Sequence, residues 1–245
     1  MSDVRPVAIV TGAASNIGRA CARRLAEKYT VVLADIGDTT ALAGELPHAL
    51  PVRMDVGDFA SCTAAVQAAE AAGPLQCLVH CAGITKPACS IEDMSVEEWQ
   101  QVIHVDLTGT FLIAKACISA MRRHAPASMI LYASRAGKTG FAALGSNGDK
   151  TKAHYCAAKA GVISLVKSLA LELAAANIRV NGVAPGPVQG TMIPREQWES
   201  IAGRVPLHRL GTPEEMAEAA WFLQSQAANF ITGHILDVNG GTLMD

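Results

Sequence analysis

Short apolar runs alternate with longer stretches of helical period along this chain, and few architectures accept that order. The runs Val7–Thr11, Val31–Asp35, Val52–Asp55, Leu75–Cys81, Met129–Ser134 and Ile178–Val183 read as strands, and Ile235–Val238 gives a last one before Asn239-Gly240-Gly241. Helical patterns lie between them near Ile17–Lys28, Ala60–Ala72, Val96–Arg123 and Ala153–Ala175. A further helix starts at Thr212-Pro213-Glu214-Glu215, where a Thr cap precedes Pro and a first turn of acids. Near-continuous apolar strands need cover on both sides. The expectation is an α/β chain, a doubly wound parallel sheet with helices on both faces. No Pro/Ser linker, repeat or low-complexity tract divides it, so residues 1–245 are expected to form a single domain.

At 245 residues the chain can bury a core without disulfides or metal staples. Half of its residues are apolar and 17% are charged, which excludes a disordered chain. The net charge of −2 offers no basic excess for a phosphate backbone, so no nucleic-acid partner is expected. The cysteines, at 21, 62, 77, 81, 89, 117 and 156, are odd in number and none sits in a Cys-x-x-Cys pair. That usage reads as reduced, mostly buried thiols. The start, Met-Ser-Asp-Val-Arg-Pro, lacks a basic-then-apolar signal region, and no uninterrupted apolar run reaches transmembrane length. A cytoplasmic location without membrane contact is therefore expected. No metal is expected either, because His80 and Cys81 have no further ligands at suitable spacing.

The first strand runs into Thr11-Gly12-Ala13-Ala14-Ser15-Asn16-Ile17-Gly18 and then a helix. Small residues there let the backbone approach a diphosphate, and the helix start offers unpaired N–H groups. Gly and Ser also make ordinary turns. Asp35 adds weight, because it ends the second strand 17 residues after Gly18. A carboxylate at that place accepts from both ribose hydroxyls and repels a 2′-phosphate, which points to NAD over NADP. The alternative is a solvated strand-end Asp. Asp55-Val56 ends the third strand, where the acid serves either an adenine amino group or a helix cap.

Tyr155 and Lys159 stand four apart on a helical pattern, hence on one face. A phenol titrates near 10 in water, and a neighbouring ammonium favours its ionised form. Tyr155 is thus a candidate to exchange a proton with a substrate oxygen. Ser134 ends the fifth strand, as a donor to that oxygen or as a simple chain-turning cap. Two segments fit no element: Gly137–Thr151 and Pro185–Pro206 are long, Gly- or Pro-bearing, and placed where loops carry function.

In order along the chain, the turn at 11–18, Asp55, Cys81-Ala82-Gly83, Ser134, Tyr155 with Lys159, Asn181 through Pro185-Gly186, and Ile231-Thr232-Gly233 to Gly240-Gly241 resemble the short-chain dehydrogenase/reductase family. The resemblance covers essentially the whole sequence. It implies a Rossmann-like sheet of about seven parallel strands and a homotetramer acting on a small-molecule substrate. It implies Tyr155 as acid/base, Ser134 as carbonyl orienter, and Lys159 as the group that holds the nicotinamide ribose and lowers the Tyr155 pKa. Cofactor contacts carried over are Gly12, Ser15, Asn16, Ile17, Gly18, Asp35, Asp55, Val56, Cys81, Ala82, Gly83, Tyr155, Lys159, Pro185, Gly186, Val188 and Thr191. The spacing to Thr191 is one residue long.

The chain departs from the family pattern at four places. Asn16 replaces a glycine, in a backbone region that Asn tolerates. His80-Cys81 replaces Asn-Asn, with a local structural change expected and no new chemistry. Asp106 occupies the place of the Asn in the catalytic tetrad, which requires either a raised pKa or a rewired proton relay. Residues 145–152 resemble an insertion, which forms either a substrate wall or a surface loop; His154, Asn147 and Lys152 are guesses at substrate contacts. The functional expectation is an NAD-dependent oxidoreductase interconverting a secondary alcohol and a ketone on a polyol, sugar or hydroxy acid. The alternatives are a 3-oxoacyl-acyl-carrier-protein reductase, which Asp35 opposes, and a catalytically impaired NAD-binding regulator, motivated by Asp106.

Overall fold

The computed structural model describes residues 5–140 and 150–245. Parallel strands β1 (Val7–Thr11), β2 (Thr30–Asp35), β3 (Ala49–Arg53), β4 (Leu75–His80), β5 (Ala127–Tyr132), β6 (Ile178–Pro185) and β7 (Ile235–Val238) form one sheet in the order β3-β2-β1-β4-β5-β6-β7. Chain direction across the sheet reverses between β1 and β4. In an open α/β sheet that switch point, beyond the strands' carboxyl ends, is where ligands bind.

Every residue of β1 is buried, and its side chains alternate between two cores. Val7 and Ile9 face Cys62, Val66 and Ile113, on α3 (Phe59–Ala72) and α5 (Gly109–Arg123). Ala8 and Val10 face Cys21, Leu25 and Leu223, on α1 (Asn16–Leu25) and α9 (Pro213–Gln224). Helix α7 (Ala153–Leu173) covers the first side through Val162, Val166 and Leu169. The expected Thr212 start is present: the Thr212 hydroxyl caps Glu215 N, and the Glu215 carboxylate accepts the Thr212 amide at 2.8 Å.

Several boundaries differ from the expectation. The third strand stops at Arg53, so Asp55 lies beyond it, where its carboxylate accepts the Gly57 amide at 2.8 Å. The fourth and fifth strands stop one and two residues short, leaving Cys81 and Ser134 in the following turns. Three short helices had no sequence signal strong enough to read: α2 (Thr40–Glu45), α6 (Arg135–Thr139) and α8 (Trp198–Ala202). The expected helix over 96–123 begins as α4 (Val96–Val102) and passes through a π-helical turn at Ile103–Thr108 before α5. By length and composition alone this 28-residue stretch would qualify as a membrane span, although broken apolar runs had argued against one. Its face Ile113, Ala114, Cys117, Ala120 and Met121 is instead spent on the core. All seven cysteines are free, and five are buried.

Candidate active site

The turn after β1 is built for close backbone approach. Gly12 has φ +69, and a Cβ on it would lie 2.9 Å from Ala82 N, on the turn after β4. A Cβ on Gly18 would strike the Gly12 carbonyl. Asn16 takes φ +43, the left-handed backbone that Asn accepts. Ser15 is the N-cap of α1 but makes no side-chain cap bond, so its hydroxyl leaves the first amides of that helix uncapped. Ile17, in its first turn, is half-buried.

Asp35 stands beside this turn at the end of β2. Its two oxygens accept Ala14 N at 2.9 Å and Gly37 N at 2.8 Å. Each oxygen keeps a free lone pair for a further donor. Next to it a cleft of about 420 Å³ is lined by Ile36, Gly37, Thr39, Val52 and Arg53, among others. Asp55 is exposed and tied into its own turn, while Val56 is buried against Gly109.

The segment after β6 crosses the same edge. A Cβ on Gly186 would sit 2.7 Å from Asn239 Cα, and Val188 bridges to Gly211. Pro185 ends β6. The Thr191 hydroxyl lies 3.5 Å from Asn16 Nδ2, and a Cβ on Gly190 would fall on the Asn16 side chain. Thr191 is thereby brought to the glycine turn despite its long spacing.

Thr11 ties β1 to the turn after β4. Its hydroxyl oxygen accepts Cys81 N and Ala82 N, both at 3.1 Å. With its lone pairs so used, the hydroxyl proton goes to His80 Nδ1 at 2.7 Å. The His80 proton then sits on Nε2, which is buried without a hydrogen-bond partner. Burial, with a smaller push from Lys159, holds the His80 pKa down to about 3, so the ring is neutral.

Ser134, Tyr155, Lys159 and Asp106 converge at the carboxyl ends of β4 and β5. Ser134 caps α6, accepting Ala136 N at 3.1 Å, which leaves its hydroxyl proton for another acceptor; Tyr155 is within its reach. Lys159 is buried, donates to the Tyr132 carbonyl at 3.0 Å, and lies 5.7 Å from the Tyr155 ring centroid. Asp106 comes from the π-helical turn and is fully buried. Its Oδ1 accepts Ile84 N at 2.7 Å, and its Oδ2 lies 3.4 Å from Lys159 Nζ. The Asp106 carbonyl accepts the Thr110 hydroxyl at 2.5 Å. Gly83 sits over the pair, where a Cβ would be 3.2 Å from Asp106 Oδ2 and 3.3 Å from Lys159 Nζ.

The electrostatics correct one expectation. Lys159 does pull the Tyr155 phenol down, but burial of the phenol outweighs it and Asp106 adds to the rise, so the Tyr155 pKa lies above its ordinary value. Burial also raises Asp106, against the pull of Lys159.

Sequence reasoning passed over Thr11, Ile84 N, the Tyr132 carbonyl and Thr85. Two of these act through the backbone, which no residue type announces. Thr85 takes a hydrogen bond from Lys152 Nζ at 3.2 Å, and Cys89 pairs with Thr151, so the loop after β4 guides the chain into α7. His154 is buried beside Tyr155, its Nδ1 2.7 Å from Tyr155 N. Asn147 and most of the insertion at 145–152 lie outside the described residues.

Comparison with known proteins gives the family. A family model described as enoyl-(acyl carrier protein) reductase matches residues 12–242. The cis-4-hydroxycyclohexanecarboxylate dehydrogenase of Sinomonas cyclohexanicum is 40% identical over 96% of this chain and 95% of its own. The 3-oxoacyl-[acyl-carrier-protein] reductase of Thermotoga maritima is 34% identical over 97% of this chain and 98% of its own. The crystal structure of gox2181 superposes with a TM-score of 0.88 at 33% identity, covering 97% of this chain and 95% of that one. The chain belongs to the short-chain dehydrogenase/reductase family of oxidoreductases.

Proposed function

We propose that this protein is an NAD-dependent dehydrogenase that interconverts a secondary alcohol and a ketone on a small hydroxylated substrate, a hydroxy acid above all. The observation that carries the reading is the meeting of Ser134, Tyr155 and Lys159 at the edge where Gly12, Ala82 and Asp35 form a cradle. That edge fits a dinucleotide: the Ser15 side chain leaves the first amides of α1 without a cap, and Gly12 lets the turn after β1 close on the Ala82 backbone, where a Cβ would lie 2.9 Å from Ala82 N. Gly12, Ser15, Asn16, Ile17 and Gly18 would hold the diphosphate, with Thr191 close by. Asp35 would take the adenosine ribose, Asp55 and Val56 the adenine. Cys81, Ala82 and Gly83 would line the floor, and Pro185, Gly186 and Val188 would pack on the nicotinamide. When bound, the cofactor supplies the hydride acceptor.

In alcohol oxidation the residues divide the remaining work. The Ser134 proton, left over from its cap bond, is donated to the substrate oxygen and orients it. Tyr155 takes the hydroxyl proton, and Lys159 favours the tyrosinate. In reduction the same proton returns from Tyr155. Asp35 supports NAD over NADP because a 2′-phosphate would face its carboxylate. The named activity of the Sinomonas relative supports a hydroxy-acid substrate. A 3-oxoacyl-carrier reductase is the second reading, supported by the Thermotoga relative and opposed by Asp35.

We further infer a cytoplasmic homotetramer. The free cysteines support a reducing compartment, and exposed Phe222 on α9 and Phe230 beyond it support association near that helix. The deciding experiment is NADH formation from NAD across hydroxy acids, polyols and sugars, with the Tyr155→Phe protein alongside. A Tyr155-dependent rate supports the reading. Turnover confined to acyl-carrier thioesters with NADPH would replace it with the second.

A further inference from the structure

By the family resemblance an Asn is expected where this chain has Asp106, and that exchange puts a carboxyl group inside the catalytic group. The pair it forms is closed off from water: Asp106 is 0% and Lys159 4% exposed. Asp106 Oδ1 is anchored by Ile84 N, its carbonyl by Thr110, and Oδ2 faces Lys159 Nζ at 3.4 Å. Gly83 lies over both groups, where a Cβ would be 3.2 Å from Asp106 Oδ2 and 3.3 Å from Lys159 Nζ. Lys159 is the same cation that must stabilise Tyr155.

We propose that Asp106 is a positioning residue that holds Lys159 in a buried ion pair, so that the ammonium is shared between a fixed carboxylate and the Tyr155 phenol. The inference rests on Tyr155 being the acid/base. Its consequence is that the enzyme favours more alkaline conditions for alcohol oxidation than a neutral residue at 106 would give. Among the described residues, the charged groups acting on the centre fit this account, and buried Arg135 on α6 acts on the Cys156 thiol. Lys159 opposes the rise of Tyr155, whereas Asp106 and the Cys156 thiol reinforce it. Around Lys159, Asp106, Tyr155 and Cys81 favour the charged ammonium, which stays protonated despite burial. His80 behind it is neutral. His154 acts on Asp106 in the same sense as Lys159, and burial keeps its own pKa down. Lys152 reaches out to Thr85.

The test needs no substrate. The chain has three tyrosines, and burial pushes Tyr29 and Tyr132 far above the ordinary phenol range. The tyrosinate absorbance that is present in the parent protein and lost in its Tyr155→Phe counterpart belongs to Tyr155. In Asp106→Asn its midpoint is expected to fall by about one pH unit or more, roughly tenfold more tyrosinate at a fixed pH. Asp106→Ser removes the same charge with a smaller side chain and should move it the same way. The acid limb of kcat for oxidation should follow. Coincident midpoints in the wild type and both variants would overturn the proposal, since a purely structural Asp106 would leave the Tyr155 titration unmoved. A shifted midpoint without turnover would uphold the ion pair and fail the dehydrogenase reading; Tyr155-dependent turnover with an unmoved midpoint would do the reverse.

Discussion

Replacing Asp35 by Ala removes the one carboxylate that decides between the two nicotinamide cofactors in this account. The side chain is fixed by two backbone amides, Ala14 N and Gly37 N, so it cannot swing away from an approaching phosphate without losing both bonds. A unit charge at about 4 Å from another costs about 4 kcal/mol at an effective dielectric of 20. Asp35 is half-exposed, so salt screens part of this, and about 2–4 kcal/mol remains as the penalty for NADPH. That corresponds to roughly 30- to 700-fold weaker binding than NADH. In Asp35→Ala the repulsion is gone, and the freed Ala14 and Gly37 amides can donate to a phosphate. NADH meanwhile loses charge-assisted hydrogen bonds worth about 1.5–3 kcal/mol. The preference should collapse to within about tenfold of unity. Nicotinamide fluorescence titrations of both proteins with NADH and NADPH, at one ionic strength, give the four dissociation constants. Equal wild-type affinities, or a preference that survives the substitution, would refute the reasoning.

Two further outcomes follow from the packing. A Cβ on Gly137 would lie 2.6 Å from the Lys159 carbonyl carbon and 2.7 Å from Ala160 N, so Gly137→Ala must push α6 from α7 and separate Ser134 from Lys159. Steady-state kinetics should show kcat falling about 10²-fold, since displacements near 1 Å cost that much, with NADH affinity little changed; an unaltered kcat would contradict the packing argument. His80 has a folded pKa of about 3, far below the unfolded value near 6.5. The folded state thus rejects a proton that the unfolded chain accepts, and the stabilising effect, complete above about pH 6.5, is lost as the pH falls, by at most about 1.4 kcal/mol per unit. His80→Asn should flatten the loss of stability between pH 7 and about 5 in urea unfolding, and an unchanged slope would exclude His80 as its source.

The sheet was legible because its signals are local. Buried parallel strands such as Val7–Thr11 must be apolar throughout, and Tyr155 and Lys159 share a face by helical geometry alone. Strand ends were less so: Met54 is buried and apolar beyond Arg53, so composition carries the pattern past the last ladder bond to Asp55. The short α2 and α6 hold Gly44 and Gly137 among few residues and show no sustained period. The π-helical turn at Ile103–Thr108 leaves no mark in residue type, yet it places Asp106. Asp106 was conspicuous as an exchange, but its partner Lys159 lies 53 positions on, and only the fold brings the two together. Likewise the helpful effect of Lys159 on Tyr155 was readable from spacing, whereas the larger opposing effect of burial required the packed site.

The central claim is that Tyr155 moves the proton of a secondary alcohol while NAD is reduced. The direct measurement is NADH formation from NAD and a panel of cyclic and linear hydroxy acids by the wild-type protein and by Tyr155→Phe. The account predicts turnover in the wild type and a loss of about 10²-fold or more in the variant, with NADH affinity retained. Wild-type turnover that persists in Tyr155→Phe would contradict it.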